Sequence, residues 1–196
     1  MIRHVCITVS LTVVIFSGLL SEAIGSNSSE TGDSPTNAIN ANPLALAFGG
    51  LNATYEHLFG DRHGLMVQSG FTFKGGYGVA FHYRYHFFTK PSHHGISSPF
   101  WGPFIHFEQG PTSAWVEEDG ERTDYDIDVT FLKIGLNVGR RWVWGAFNLA
   151  FRIGYGYPVI ADFKWSPDEP EQVETMEAVS KVLAGIDGEL SIGFAF

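Results

Sequence analysis

The chain has 196 residues, of which 23 are glycine, 15% are aromatic and only 17% are charged. This length suits one domain, and the composition is too aromatic for a disordered chain and too rich in glycine for a helical bundle. The formal net charge of -9 argues against a nucleic-acid partner, because a basic surface supplies most of the affinity for nucleic acid.

The first 25 residues have the pattern of a secretory signal peptide. Arg3 precedes the apolar run Val5–Leu20, and the small residues after that run suit cleavage following Gly25 or, nearly as well, following Ala23. A membrane-spanning helix is the alternative, but the run is shorter than the roughly 20 residues that such a helix needs. We therefore expect the chain to be exported.

Residues 26–41 are small and polar, and they predict a flexible lead-in to a domain that occupies residues 42–196. The one cysteine, Cys6, lies within the predicted signal peptide, so we expect no disulfide, thiolate metal site or cysteine nucleophile in the exported chain. No later stretch has the apolar length of a spanning helix, which leaves a closed barrel as the way for this domain to cross a membrane.

From residue 42 onward, segments follow one another in which apolar residues alternate with polar or small ones. In the clearest, Tyr77–Phe88, apolar residues such as Phe81 share one face, and polar or small residues such as His82 share the other. Only a β-strand can use this period of two. Six further segments show the pattern: Pro43–Leu58, Leu65–Lys74, Phe100–Gln109, Val129–Trp142, Val143–Tyr155 and Ile186–Phe196.

The connections between these segments differ in length. The first segment changes phase at Gly49–Gly50, where we expect a bulge or a break. Tight turns are predicted at Gly60–Gly64 and Gly139–Gly145, with longer connections elsewhere. The Ser-Pro step at Ser166 and the acids after it predict one short helix inside the late loop 156–185.

The second face of the strands is small and sparsely charged, whereas a face that meets water would be rich in charged and hydroxyl residues. Small residues with isolated charges suit the lumen of a narrow membrane barrel, whose apolar face contacts lipid. The charges also balance, which matters because a buried charge without a partner is costly. We predict a lumen ion-pair network formed by Glu56, Lys74, Arg84, Glu108, Lys133, Arg152, Asp187 and Glu189.

Aromatic residues on the apolar face lie near the ends of the segments, as in the girdles of membrane strands. Each segment has the roughly ten residues that a tilted strand needs to cross a bilayer. The pattern therefore predicts an all-β fold, an antiparallel up-and-down transmembrane β-barrel. The girdle residues are Tyr55, Tyr85, Phe87, Trp101, Trp142 and Phe196.

With its leader, its alternating segments and the closing stretch GELSIGFAF, the chain resembles small bacterial outer-membrane β-barrels of the OmpA/OmpX-like size class. In such proteins the barrel assembly machinery recognises an aromatic residue at the end of the last strand. The resemblance implies the outer membrane as location, and outer-membrane lipid and this machinery as partners. It implies that an assembly signal is formed by Leu190, Ile192, Phe194 and Phe196.

The chain is also similar to a group of uncharacterised outer-membrane barrels. The similarity lies in an early Asn-Pro strand with the pair Tyr55 and Glu56, and in a Gly-x-Arg-Trp hairpin at Gly139–Trp142. Single-chain bacterial barrels have an even number of strands, whereas seven segments are clear here. Either Gly49–Gly50 separates two strands or Tyr157–Trp165 supplies another, so we expect about eight.

Candidate catalytic residues are few. His82 and His86 share a face but lie roughly 13 Å apart on a strand, too far to share a metal, and with His106 they suit the lumen network. Lipid A deacylase barrels carry a His-Tyr-Ser stretch, whereas His82–Arg84 reads His-Tyr-Arg and lacks the serine nucleophile. The acidic stretch Trp115–Asp128 lacks the spacing of an EF-hand and suits a solvated loop, which could also bind a surface partner.

The sequence thus predicts an integral outer-membrane barrel of structural or interaction type, with a filled polar lumen, no catalytic site and no cofactor. A narrow pore or a lipid-modifying outer-membrane enzyme is the first alternative. A soluble periplasmic lipocalin-like binding protein is the second, and it differs in which face of the barrel meets water.

Overall fold

The structure, a computed structural model, describes residues 35–60, 62–87, 97–118, 121–166 and 173–196. Within these ranges, eight antiparallel strands close into an up-and-down barrel in chain order. The predicted eight-stranded all-β architecture is confirmed. The strands are β1 Asn37–Ala41, β2 Gly50–Phe59, β3 His63–Thr72, β4 Tyr77–His86, β5 Pro99–Glu118, β6 Glu121–Trp144, β7 Phe147–Ser166 and β8 Ile186–Ala195; the helices are α1 Pro43–Ala47 and α2 Val173–Ala184.

The two ends of the barrel differ in their connections. At the end where β1 begins and β8 ends, here called the terminal end, tight turns join β2 to β3 and β6 to β7. Gly60 (φ 71°) and Gly145 (φ 60°) adopt in these turns a left-handed conformation that favours glycine. The opposite end, here called the far end, carries α1, the β5–β6 hairpin and α2.

The eighth strand is β1, and neither predicted alternative supplied it. It lies inside residues 26–41, for which a flexible lead-in was predicted, so the barrel begins earlier than residue 42. Pro43–Ala47 is a helix rather than the predicted strand, because Pro43 suits the first helical turn and the side chain of Asn42 accepts a hydrogen bond from Leu44 N at 3.0 Å. Residues 26–34 of the predicted lead-in and the predicted signal peptide lie outside the described residues.

Strands β5, β6 and β7 are longer than predicted, with 20, 24 and 20 residues. Most of Trp115–Asp128, predicted to be a loop, is strand, because β5 and β6 stay paired as far as Glu118 and Glu121. Tyr157–Trp165 continues β7 instead of forming a separate strand. Gly139–Trp142 lies within β6, and the turn predicted there follows at Gly145.

The predicted late helix is confirmed as α2. Within the described ranges it begins at Val173, and Met176 is its buried residue, whereas Val179 and Val182 are exposed. Met176 belongs to a small hydrophobic cluster between the helix and the parts of β5, β6 and β7 that extend beyond the barrel. The cluster consists of Ala114, Ile127 and Met176, with Tyr125, Val129, Phe163 and Trp165 packed against it.

The barrel is apolar outside and polar inside. Large hydrophobic side chains on the outer face are exposed, for example Leu65 at 55%, Leu136 at 60% and Phe194 at 62%. In contrast, Arg84 and Arg152 point inward and have no exposed surface. The alternation of the sequence therefore places its apolar face outward and its small, charged face in the lumen.

A substitution at Gly139 tests how tightly the side chains in the lumen are packed. A Cβ on Gly139 would lie 2.5 Å from Cζ of Phe100 and against the backbone oxygen of Phe151, whereas one on Gly188 would meet nothing closer than the backbone oxygen of Arg152, at 3.8 Å. We expect Gly139→Ala to lower the free energy of unfolding by about 1–3 kcal/mol through overpacking. Gly188→Ala, the matched control, should change it by less than about 0.5 kcal/mol. Chemical unfolding measures both, and equal losses would contradict the packing described here.

Candidate functional site

The most distinctive site is a cluster of charged side chains inside the barrel, here called the lumen network. Its members come from alternate positions of β2, β4, β6, β7 and β8, because inward-pointing residues recur at every second position of a strand. Most of them have no exposed surface, so their charges are balanced by one another rather than by water. The core of the network consists of Glu56, Arg84, Arg141, Arg152, Asp187 and Glu189.

Glu56 on β2 is the centre of one half of the network. Its Oε2 atom lies 2.6 Å from Nη1 of Arg84 and 2.5 Å from Nη2 of Arg141. Its other oxygen, Oε1, is 3.1 Å from Nε2 of His86, whose Nδ1 lies 3.0 Å from the hydroxyl of Ser98. The carboxylate thus has partners on β4, on β6 and, through His86, on the residue before β5.

Arg152 on β7 is the centre of the other half. Its Nε donates to Oε2 of Glu189 at 3.0 Å, its Nη1 to Asp187 at 2.9 Å and its Nη2 to the amide oxygen of Gln68 at 2.9 Å. Arg84 links the halves, since its Nη2 lies 3.4 Å from the same oxygen of Glu189. Positive and negative groups therefore alternate from Arg141 to Asp187.

A second ion pair lies nearer the far end. Nζ of Lys133 is 3.0 Å from Oε1 of Glu108, and it also donates to the backbone oxygen of Ala184 at the end of α2, at 2.9 Å. A cation at this position satisfies a helix carbonyl and opposes the negative end of the helix dipole. Glu108 is 33% exposed, and its Oε2 lies 3.7 Å from Nε2 of His106.

Seven of the eight residues predicted for the network line the lumen as ion pairs, namely Glu56, Arg84, Glu108, Lys133, Arg152, Asp187 and Glu189. Lys74 does not: it is exposed in the turn after β3. The sequence reasoning missed Arg141, because Gly139–Gly145 was assigned to a turn. The sequence did contain a signal for Arg141. It lies an even number of residues after Lys133 and Gly139, so on a continuous strand it points to the same face as they do. The charges still balance, because Arg141 replaces Lys74.

Aromatic rings fill the lumen beside the charges. Arg84 stacks over Phe100, with 4.1 Å from the guanidinium carbon to the ring centroid, and the ring of His82 stacks on Phe104 with centroids 5.3 Å apart. Glycines on the neighbouring strand β6 make room for both rings, since a Cβ on Gly135 would lie 2.7 Å from Phe104 and one on Gly139 would lie 2.5 Å from Phe100. At this level the lumen is filled by side chains.

The histidines named from the sequence point inward and belong to this packing. Nδ1 of His82 lies 3.2 Å from the side-chain nitrogen of Asn137, and His86 contacts Glu56. No three His, Cys, Asp or Glu side chains of the described ranges are grouped so that they could hold a metal ion. His93 and His94 lie outside those ranges.

The residues predicted as an assembly signal lie on the outer face of β8 or, for Phe196, directly after it. Ile192, Phe194 and Phe196 are exposed at 43%, 62% and 63%, and Leu190 is half-buried. Ser191, which alternates with them, is buried. Their outward orientation follows from the strand period, and their role in assembly stays a prediction.

Comparisons with protein-family models, with curated proteins and with solved structures found no match for this chain. Within the described ranges, no helix combines the length and the apolar character that a membrane crossing requires. Arguments about function therefore rest on the geometry of the barrel itself.

The network should make a large contribution to stability through Glu56. Glu56→Gln keeps the size of the side chain but leaves Arg84 and Arg141 buried without a counter-charge, so we expect a loss of about 3–5 kcal/mol in the free energy of unfolding. Asp124→Asn is the matched control, because it breaks the exposed Arg122–Asp124 pair, which should contribute less than about 1 kcal/mol. Denaturant unfolding followed by tryptophan fluorescence measures both. Similar small losses would show that Glu56 is not a central partner.

Proposed function

We propose that the chain is an integral β-barrel of the bacterial outer membrane, of structural or interaction type. The observation that carries this proposal is the inverted polarity of the barrel, with ion pairs inside and hydrocarbon outside. In water, a continuous apolar surface around a barrel would be unfavourable by roughly 25 cal/mol per Å². Monomeric soluble proteins rarely expose apolar patches of more than a few hundred Å².

The outer face has the layers expected of a protein in a bilayer. Near the terminal end it carries Phe59, Tyr85, Trp101, Trp144 and Phe194, and toward the far end it carries Phe71, Phe73, Tyr77, Tyr155 and Tyr157, all exposed or half-exposed. Aliphatic side chains such as Val67 and Leu136 lie between these two groups, together with the exposed rings of Tyr55 and Phe81, which pair with Val67 on the neighbouring strands. Tyr55, predicted for a girdle, therefore lies between the girdles. Aromatic girdles around an aliphatic band are typical of membrane β-barrels.

The apolar band ends where the long strands leave the barrel. On the outer face of β6, Ile134, Leu136 and Val138 follow the exposed acids Asp126 and Asp128. The pairing of β6 with β7 shifts register between Leu132 and Lys133, at this same boundary. Beyond it, β5 and β6 extend for roughly 35 Å along the strand direction and β7 for roughly 20 Å, and we propose that this extension lies in water.

The extension is the part of the protein best suited to an interaction. It has its own small core around Met176, and its outer face carries polar side chains, among them Asp124, Asp126, Asp128 and Lys164. A folded, polar projection next to an apolar barrel suits a surface that meets other molecules outside the membrane. This supports an interaction role more than a catalytic one.

Two alternatives fit the geometry less well. A soluble lipocalin-like binder places its apolar face inward, opposite to the arrangement of this barrel. A narrow pore requires a water-filled path, whereas Arg84, Arg141 and Arg152 are at most 1% exposed and lie across the lumen among their counter-ions. An eight-stranded barrel has an interior just wide enough for side chains.

Cell fractionation tests the proposed location. Because a lipid-facing barrel needs detergent to leave the membrane, the protein should be found in the outer-membrane fraction after expression in a Gram-negative host. Because a closed barrel resists SDS, unboiled samples should migrate differently from boiled ones on SDS gels. Recovery of the folded protein in the soluble periplasmic fraction would contradict the proposal.

A charge in the apolar band tests the same proposal energetically. Leu136 lies near the middle of the band on β6, so Leu136→Arg should lower the free energy of unfolding in lipid vesicles by about 2–4 kcal/mol. Val182 on α2 is equally exposed, at 59% against 60%, but lies outside the band. Val182→Arg, the matched control, should change stability by less than about 0.5 kcal/mol. If both changes have the same small effect, the band does not face lipid.

A further inference from the structure

A groove lies on the outer side of the protein, at the base of the extension formed by β5, β6 and β7. It encloses about 460 Å³, and its lining includes Lys74, Asp126, Asp128, Lys164 and Ser166. Strand pairing places four of these residues side by side, because Asp128 pairs with Lys164 and Asp126 pairs with Ser166. The register of β6 and β7 therefore fixes most of the lining, and Lys74 joins it from the turn after β3.

The groove begins just beyond the apolar band. The girdle residue Tyr77 on β4 pairs with Gln109 on β5, two residues before Pro111, which lines the groove. Two residues of a strand span about 7 Å. In a bilayer, head groups occupy roughly the 5–8 Å beyond each side of the hydrocarbon core. In the proposed membrane location, the groove therefore lies at the depth of the lipid head groups.

The groove carries charges of both signs that no other part of the protein neutralises. Lys74, Lys164, Asp126 and Asp128 are all exposed. Across the part of the chain that the structure describes, none of these four side chains forms an ion pair or a hydrogen bond. The two carboxylates would repel a simple anion, and the two ammonium groups would repel a simple cation. The groove thus suits a ligand with one charge of each sign.

A zwitterionic lipid head group has this pattern of charge. Its phosphate accepts hydrogen bonds from lysine, and a primary ammonium group donates up to three hydrogen bonds, which carboxylates accept. In phosphoethanolamine a two-carbon linker holds the two charges about as far apart as opposite side chains on neighbouring strands, about 5 Å. Phosphocholine has the same charges, but its quaternary nitrogen has no N–H group to donate. A primary amine therefore fits the carboxylates better.

We infer that this groove binds a phospholipid whose head group carries both a phosphate and a primary ammonium group. The phosphate accepts hydrogen bonds from Lys74 and Lys164, and the ammonium group donates to Asp126 and Asp128. The acyl chains extend along the outer face past Ile160, which is 52% exposed four residues before Lys164. This inference rests on the proposed membrane location, because a lipid reaches the groove only if the apolar band lies in a bilayer.

Native mass spectrometry of the full chain, folded in lauryldimethylamine oxide, tests the inference. The probes are three dioleoyl lipids that differ only in the head group: phosphatidylethanolamine, phosphatidylcholine and phosphatidylglycerol. The protein should retain about tenfold more phosphatidylethanolamine than either of the others, because hydrogen bonds between charged groups contribute at least that factor. Equal retention of the three lipids would overturn the inference. So would displacement of the lipid by an equal concentration of glycerophosphoethanolamine, which is the head group without acyl chains.

Two double substitutions separate the roles of the charges. Asp126→Asn with Asp128→Asn should abolish the preference for phosphatidylethanolamine over phosphatidylcholine, because the ammonium group loses both carboxylates. Asp124→Asn, the matched control on the same face of β6 but outside the groove, should leave the tenfold preference intact. An unchanged preference in the double variant would show that the lipid binds elsewhere.

Lys74→Gln with Lys164→Gln should instead weaken retention of phosphatidylethanolamine and phosphatidylcholine by a similar factor, about tenfold, because both lipids carry the phosphate. Lys181→Gln on α2, outside the groove, is the matched control and should retain both lipids as before. Undiminished retention in the double lysine variant would contradict the assigned phosphate contacts.

The gel-mobility assay on the same samples separates the two proposals. If the protein is extracted from the outer membrane as a folded barrel but shows no preference among the lipids, only the lipid site is wrong. If the protein is recovered from the soluble periplasm, the proposed membrane location is wrong as well. All substituted positions are exposed, so the variants should keep the folded gel band. If one double variant lost it, the other would still test the site.

Discussion

The barrel depends on the Glu56 carboxylate, which is held between Arg84 and Arg141 without access to water. Removing a carboxylate from water costs several kcal/mol unless partners compensate it, so β2, β4 and β6 must lie where their side chains meet. Backbone hydrogen bonds join only neighbouring strands, whereas these ion pairs join strands across the lumen. Arg84 also contacts Glu189 on β8, and Glu189 contacts Arg152 on β7. The ion pairs therefore link these two strands to the others as well.

Placing the charges inside has a consequence for the outside. Because the lumen is filled by ion pairs and by Phe100 and Phe104, the large aliphatic and aromatic residues cover the outer face instead. An apolar surrounding suits a barrel of this polarity, which is the basis of the proposed membrane location. The far end departs from this rule, since a cavity of about 340 Å³, lined in part by glycines, lies there next to α1.

The strand alternation was strong enough to predict the architecture, because a period of two is visible without knowing any contact. The prediction failed where the alternation is short or interrupted. β1 has five residues, and its one large apolar side chain, Ile39, is too little to show a period. The predicted network included Lys74 and lacked Arg141 because the ends of β3 and β6 were misplaced by a few residues. A side chain beyond the end of a strand no longer follows the alternation, so its orientation cannot be predicted from it.

The sequence by itself determined the all-β class, the late helix, which face of each long strand carries charge, and seven members of the lumen network. These follow from residue type and from the strand period, which are local properties. Only the tertiary structure decided which acid meets which base, that β1 closes the barrel against β8, and that a cavity lies under α1. Those features depend on register and on contacts between residues such as Glu56 and Arg141, which are far apart in the chain and have no local signal.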